Sequence, residues 1–182
     1  MIAWNGWYHV NGGTYGTWLP GDPRGWREKH HKRHVEGDYR NPPPAGSGAA
    51  LHDFARGMLK CPPVHLDAER REIAGRALVE MLVMQEIEVL ALCVDAVHFH
   101  LLARFPDGKV RPCVGRAKKH AYHCLRDRGH VGKLWGRLCH VKPVSDRSHQ
   151  VKVFNYIRNH ENKRAWVRTF RQGVYWRKEV PR

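Results

Sequence analysis

The chain predicts an α+β fold: an antiparallel sheet with helices packed on one face, interrupted near the N-terminus by a long loop insertion. Three observations lead there. Segments rich in β-branched and aromatic residues alternate with stretches of helical period, in the order strand, loop, helix, strand, strand, helix, strand, helix. Two of the strand-like segments, "IEVLALCVD" and "VHFHLLARF", are separated only by a short break near Asp95-Ala96 and read as a hairpin. The 182 residues show no internal repeat and suffice for one core, so residues 1–182 are read as a single domain.

The elements follow in order. Residues 4–19, "WNGWYHVNGGTYGTWL", are aromatic and β-branched and read as strand, broken by a bulge or turn near Gly12-Gly13. Residues 20–64 are rich in Pro, Gly and charge without a sustained period, and read as a loop insertion. Its His30, His31 and His34 admit two readings, a metal site or a solvated basic loop near phosphate, and the second is the expectation. Residues 67–86 are the clearest helix. Asp67 suits its N-cap, Glu69 its first turn, and Ile73, Ala74, Ala77, Leu78, Met81 and Leu82 form one apolar stripe. The hairpin comes next, then a basic helix over 111–128, a fourth strand within "KLWGRLCHVKPV", a second strong helix over 146–168, and a tail rich in Arg and Trp.

Lys and Arg number 32 against 17 Asp and Glu, a formal charge of +15. A globular chain this basic is expected to meet a polyanion, with nucleic acid the default. An anionic membrane surface is the alternative, but no apolar run approaches the roughly 20 residues of a membrane span. "MIAWNGWYHV" has neither the basic start nor the apolar stretch of a signal peptide. The five cysteines are irregularly spaced and include no C-x-x-C pair, which fits a reduced, cytoplasmic protein better than a disulfide framework or a structural zinc site.

His98 and His100 flank Phe99 within an apolar run. On a strand, residues i and i+2 share a face and lie about 7 Å apart at Cα. Both imidazoles can therefore reach one metal ion, or each can hydrogen-bond separately at a sheet surface. Phe99 and Leu101 point the other way, toward the helices. On a helical wheel, His149, Lys152, Tyr156, Asn159, His160 and Lys163 fall on one face, with Val151, Phe154 and Ile157 largely opposite and facing the core. One helix face thus carries a tyrosine, a metal-capable side chain one turn on, and two lysines. A solvated amphipathic helix is the plainer reading of the same pattern.

These blocks together resemble a family. "VHFHLL" resembles the His-hydrophobic-His signature of HUH endonucleases. "YHVNGGTYGTWLPGD" and "YIRNHENK" resemble the flanking blocks of single-tyrosine HUH transposases, especially the REP-associated tyrosine transposases. The resemblance implies a ferredoxin-like (RRM-like) core and cleavage and rejoining of single-stranded DNA through a covalent 5′-phosphotyrosine. It implies Tyr156 as nucleophile and His98 and His100 as metal ligands. The family's third ligand, usually Asn or Gln one turn after the tyrosine, falls on His160 here, with Asn159 the neighbouring alternative; Glu161 follows where the family usually has Pro. The implied cofactor is Mg²⁺, while two or three imidazoles suit Mn²⁺ at least as well.

The expected partner is single-stranded DNA carrying a hairpin or palindromic element. The expected protein is a monomer or homodimer, cytoplasmic, bacterial and nucleoid-associated, with no membrane role. Lys152 and Lys163 are candidates for phosphate contacts, and Trp18, Trp26 and Trp135 for base stacking. Two other functions are compatible with the composition: a catalytically inactive DNA- or RNA-binding module on the same fold, and a metal-dependent hydrolase that uses water.

Overall fold

A computed structural model describes residues 3–22, 46 and 48–170. A five-stranded antiparallel sheet runs β4-β1-β3-β2-β5, built from β1 Trp7–Gly13, β2 Glu88–Val94, β3 His98–Arg104, β4 His140–Pro143 and β5 Trp166–Thr169. Four helices join it: α1 Ala49–Gly57, α2 Ala68–Met84, α3 Val110–Arg126 and α4 Arg147–Arg158. Leaving α1 aside, the order through β4 is βαββαβ with spatial order 4-1-3-2, the ferredoxin-like arrangement; α4 and β5 extend it.

The α+β class and the antiparallel sheet agree with the sequence reading. The hairpin forms as expected, with β2 paired to β3 and Asp95 turning the chain by accepting the Val97 and His98 backbone N–H groups at 2.8 and 3.0 Å. Asp67 caps α2, accepting the Arg70 N–H at 2.8 Å.

Period-two alternation along the central strands builds two separate layers. Val10, Leu92, Val94, Phe99, Leu101 and Ala103 point to one face and pack against Ala74, Leu78 and Leu82 of α2 and Val114, Ala117 and Ala121 of α3. Trp7, Ala91, Cys93 and Leu102 point to the other and meet Val153 and Ile157 of α4. The helices therefore do not all lie on one face, as expected from sequence: α4 covers the opposite side. Its buried apolar positions are Val153 and Ile157, one turn apart, whereas Val151, expected in the core, is exposed.

Other differences have local causes. The helix expected over 146–168 ends at Arg158; a 3₁₀ turn, Asn159–Lys163, follows, and Arg164 takes a left-handed conformation (φ 60°) that reverses the chain into β5. Trp166–Thr169 is thus an edge strand on β2, with Trp166 packed over Gly75 of α2 so closely that a Cβ there would overlap the indole. The break expected at Gly12-Gly13 falls after Gly13. Gly12 stays in the ladder opposite Phe99, whose ring occupies the space a side chain would need. Within the 20–64 insertion, Ala49–Gly57 is helical. His30, His31, His34, Trp26 and the tail beyond residue 170 lie outside the described residues.

Candidate metal and nucleophile centre

β3 presents His98 and His100 on the face covered by α4, and the 3₁₀ turn after α4 turns His160 inward beside them. One ring nitrogen from each lies within 4.8 Å of the others. The rings of His98 and His100 meet edge to face at 4.8 Å between centroids, and those of His100 and His160 at 5.0 Å. His160 is 2% exposed, whereas Asn159 is exposed to solvent. Both were candidates from sequence; the packing brings His160 to the pair.

The protons on two of these rings can be assigned from their partners. His98 Nδ1 lies 3.0 Å from the Asp95 carboxylate, and His160 Nδ1 lies 2.8 Å from the Tyr156 carbonyl. A carbonyl and an ionised carboxylate can only accept, so each Nδ1 carries a hydrogen, and in the neutral ring the lone pair is then on Nε2. Burial alone would raise the Asp95 carboxyl, but the hydrogen bonds from the His98 ring and the Val97 and His98 backbone outweigh it and bring it down to about 2. Burial pushes His100 down to about 3, reinforced by His98, His9 and His160, so this ring is neutral near pH 7.

The donor set fits a divalent transition ion: three imidazoles, two with their Nδ1–H held by an acceptor, as metal-bound histidines usually are. Ligands of one ion with bonds of about 2.1 Å subtend roughly 3–3.5 Å, so the cluster is somewhat wider than a closed site.

Tyr156 lies on the last turn of α4. Its phenol oxygen is 3.4 Å from His100 Nε2, at the limit of a hydrogen bond, and its ring packs edge-on against His100 and His160 at 5.1 and 4.7 Å. It remains 47% exposed. Burial, with Cys93 and Asp95 nearby, raises its ionisation above the usual phenol range. A cavity of about 450 Å³ opens beside it, lined among others by Asn11, Trp18, Val97, His98, His100 and Tyr156.

Trp18, expected to stack a base, is exposed on this cavity. Trp135, also expected to stack a base, is half-buried elsewhere: its indole N–H donates to the Lys118 carbonyl at 2.9 Å and its ring packs edge-on against Phe99, on the sheet face away from the histidines. Lys152 and Lys163 are exposed. His149 accepts the Ser145 backbone N–H at 3.1 Å at the start of α4, a turn contact rather than a site role.

Two neighbours of the cluster escaped sequence reading. Asp95 looked only like a hairpin break, although its position three residues before His98 was a usable signal. His9, on β1, places Nε2 3.1 Å from His100 Nδ1. The His9-x-Asn11 alternation puts both on the histidine face, but nothing local says that β1 pairs with β3.

No protein-family model matches the chain, and no curated protein matches it. Among solved structures, one described as a REP-associated tyrosine transposase bound to a REP hairpin is similar, with a TM-score of 0.51 over 90% of this chain and 70% of that one, at 10% identity. At that identity the likeness shows a shared fold. Among the described residues, no helix is long and apolar enough to cross a membrane.

Proposed function

We propose that the protein is a metal-dependent single-stranded DNA endonuclease and strand transferase of the single-tyrosine HUH transposase kind, acting through a covalent 5′-phosphotyrosine. One observation carries this reading: a half-exposed tyrosine has its phenol oxygen 3.4 Å from a histidine of a three-imidazole cluster. Neither a nucleic-acid-binding module nor a water-using hydrolase needs a tyrosine in that register. The basic charge and the fold shared with a hairpin-bound transposase support the same assignment.

His98, His100 and His160 would hold Mg²⁺ or Mn²⁺, which supplies charge neutralisation at the non-bridging phosphate oxygens. The chain's own residues do the rest. Asp95 and the Tyr156 carbonyl orient two of the rings. The end of α4 sets the phenol beside them, so the nucleophile and the phosphate site belong to one rigid constellation. Tyr156 Oη attacks phosphorus, the P–O3′ bond breaks, the phenol proton is lost, and the 3′ oxygen leaves as a hydroxyl. A DNA 3′-hydroxyl reverses the step by attacking the tyrosyl ester, so rejoining needs no ATP. Lys152 and Lys163 add positive charge along the DNA path. The partner is single-stranded DNA with a hairpin or palindromic element, met as a monomer or homodimer in the cytoplasm of a bacterium.

The test is incubation with a hairpin library of single-stranded DNA and Mn²⁺, followed by denaturation and sequencing of covalently captured strands. A denaturation-resistant adduct at Tyr156 is expected. Cleavage without an adduct would instead indicate the water-using hydrolase, and binding without cleavage the inactive module.

A further inference from the structure

His9 extends the cluster beyond the three proposed ligands, and it is more than a neighbour. It sits in the middle of β1 opposite Leu102 of β3, with its side chain on the α4 face of the sheet. Its ring lies 5.3 Å from that of His100 and 6.1 Å from that of Tyr156. The short contact is between ring nitrogens, His9 Nε2 and His100 Nδ1, 3.1 Å apart.

Two imidazole nitrogens at that distance need one hydrogen between them, and its placement decides what the far side of His100 can do. If His9 Nε2 holds it, His100 Nδ1 accepts, and the neutral His100 must carry its own hydrogen on Nε2. That nitrogen then points an N–H toward Tyr156 and has no lone pair for a cation. If His100 Nδ1 holds it, His9 accepts, and His100 Nε2 is free. Asp95 and the Tyr156 carbonyl already impose the second arrangement on His98 and His160. His100 is the one ring of the three whose partner can either donate or accept.

We infer that His9 is a positioning residue of the metal centre: it accepts the His100 Nδ1–H and thereby holds His100 in the tautomer whose Nε2 faces the ion and the phenol. This deepens the proposed function and rests on its metal site. With His100 only 6% exposed, no water easily replaces the acceptor. Outer partners of this kind typically change metal affinity by about 10–100-fold.

The experiment uses the full chain and Mn²⁺ alone, without DNA. Mn²⁺ binding is titrated by electron paramagnetic resonance for the native chain, His9→Phe and His9→Gln, with thermal unfolding to show that each variant folds. His9→Phe keeps the ring shape and removes the acceptor, so its affinity should fall about 10–100-fold. His9→Gln, whose amide oxygen accepts, should recover part of that loss. In parallel, ¹⁵N-edited NMR of the native chain loaded with diamagnetic Zn²⁺ should show His100 protonated at Nδ1. Native affinity in His9→Phe, or His100 protonated at Nε2 while the ion is bound, overturns the role of His9 and leaves the metal site standing. A native chain that binds no Mn²⁺ overturns both. Should His9→Phe fail to fold, the NMR assignment and His9→Gln decide: native-like affinity in His9→Gln with Nδ1–H at His100 supports the role, and Nε2–H refutes it.

Discussion

The two faces of β3 are seven residues read twice. Phe99, Leu101 and Ala103 point into the α2–α3 layer and are almost wholly buried. His98 and His100, interleaved with them, point to the α4 side, where a tyrosine, two further histidines and an aspartate gather around a cavity. One face is specified by volume and excludes water; the other is specified by hydrogen-bond partners and borders an open cavity. The strand serves both because alternate side chains separate the two tasks, and the close packing of the first face supplies the rigid support that ligands on the second require.

The comparison can be broken by substitutions on either side. The largest effect is expected at the proposed nucleophile. Tyr156→Phe should reduce covalent adduct to background, roughly a 10³-fold loss or more, with DNA affinity by gel shift nearly unchanged. An adduct of native yield in the Phe variant would move the nucleophile elsewhere. Next come the proposed ligands. The double change His98→Ala, His100→Ala should abolish measurable Mn²⁺ binding by calorimetry. His160→Ala should weaken it less yet cut cleavage by about 10–100-fold, since the ligand beside the phenol is lost. His160→Asn should retain part of the activity, and Asn159→Ala should cleave like the native chain. If the Asn159 and His160 variants behave the other way round, the third ligand is Asn159.

On the dry face, Leu101→Ala should lower unfolding free energy by about 2–5 kcal/mol in urea titrations. Adduct formation per folded molecule should stay near native. An activity loss beyond the unfolded fraction would show that the two faces are not independent.

A pH series sharpens the contrast further. In the folded chain without metal, burial lowers His9 from 6.5 to about 4 and His100 from 6.5 to about 3. Below the unfolded value, the unfolded chain binds the extra protons, so stability is fully present above about pH 6.5 and falls as pH drops toward 4 and then 3. The loss is expected to be on the order of a few kcal/mol between about pH 7 and about pH 4. His100→Phe should flatten this part of the urea-midpoint profile, while Leu101→Ala should lower the whole profile in parallel.

The smallest effect is expected at the exposed lysines. Each phosphate neutralised contributes about −0.7 to the log–log salt slope for single strands, so Lys152→Ala should shift the slope by about one such contribution. An unchanged slope would remove Lys152 from the DNA path.

Some of this was legible in the residues alone. The β2–β3 hairpin, α2 with its Asp67 cap, and the shared face of His98 and His100 follow from local periodicity and turn chemistry, which act over a few residues. That Tyr156 and His160 project to one side was legible for the same reason, although His160 stands on the 3₁₀ turn after α4. Residues 166–168 read as the end of a helix because so short a segment is too brief to reveal an alternation, and Trp166–Thr169 becomes a strand only because β2 offers an unpaired edge. Which face of the sheet α4 covers, which of Asn159 and His160 turns inward, and that Asp95 and His9 fix the rings around the site were decided by tertiary packing. His9 and His100 are 91 residues apart, and Tyr156 and His100 are 56 apart. Contacts of that separation depend on strand order and on where a helix docks, and no period within a single segment encodes either.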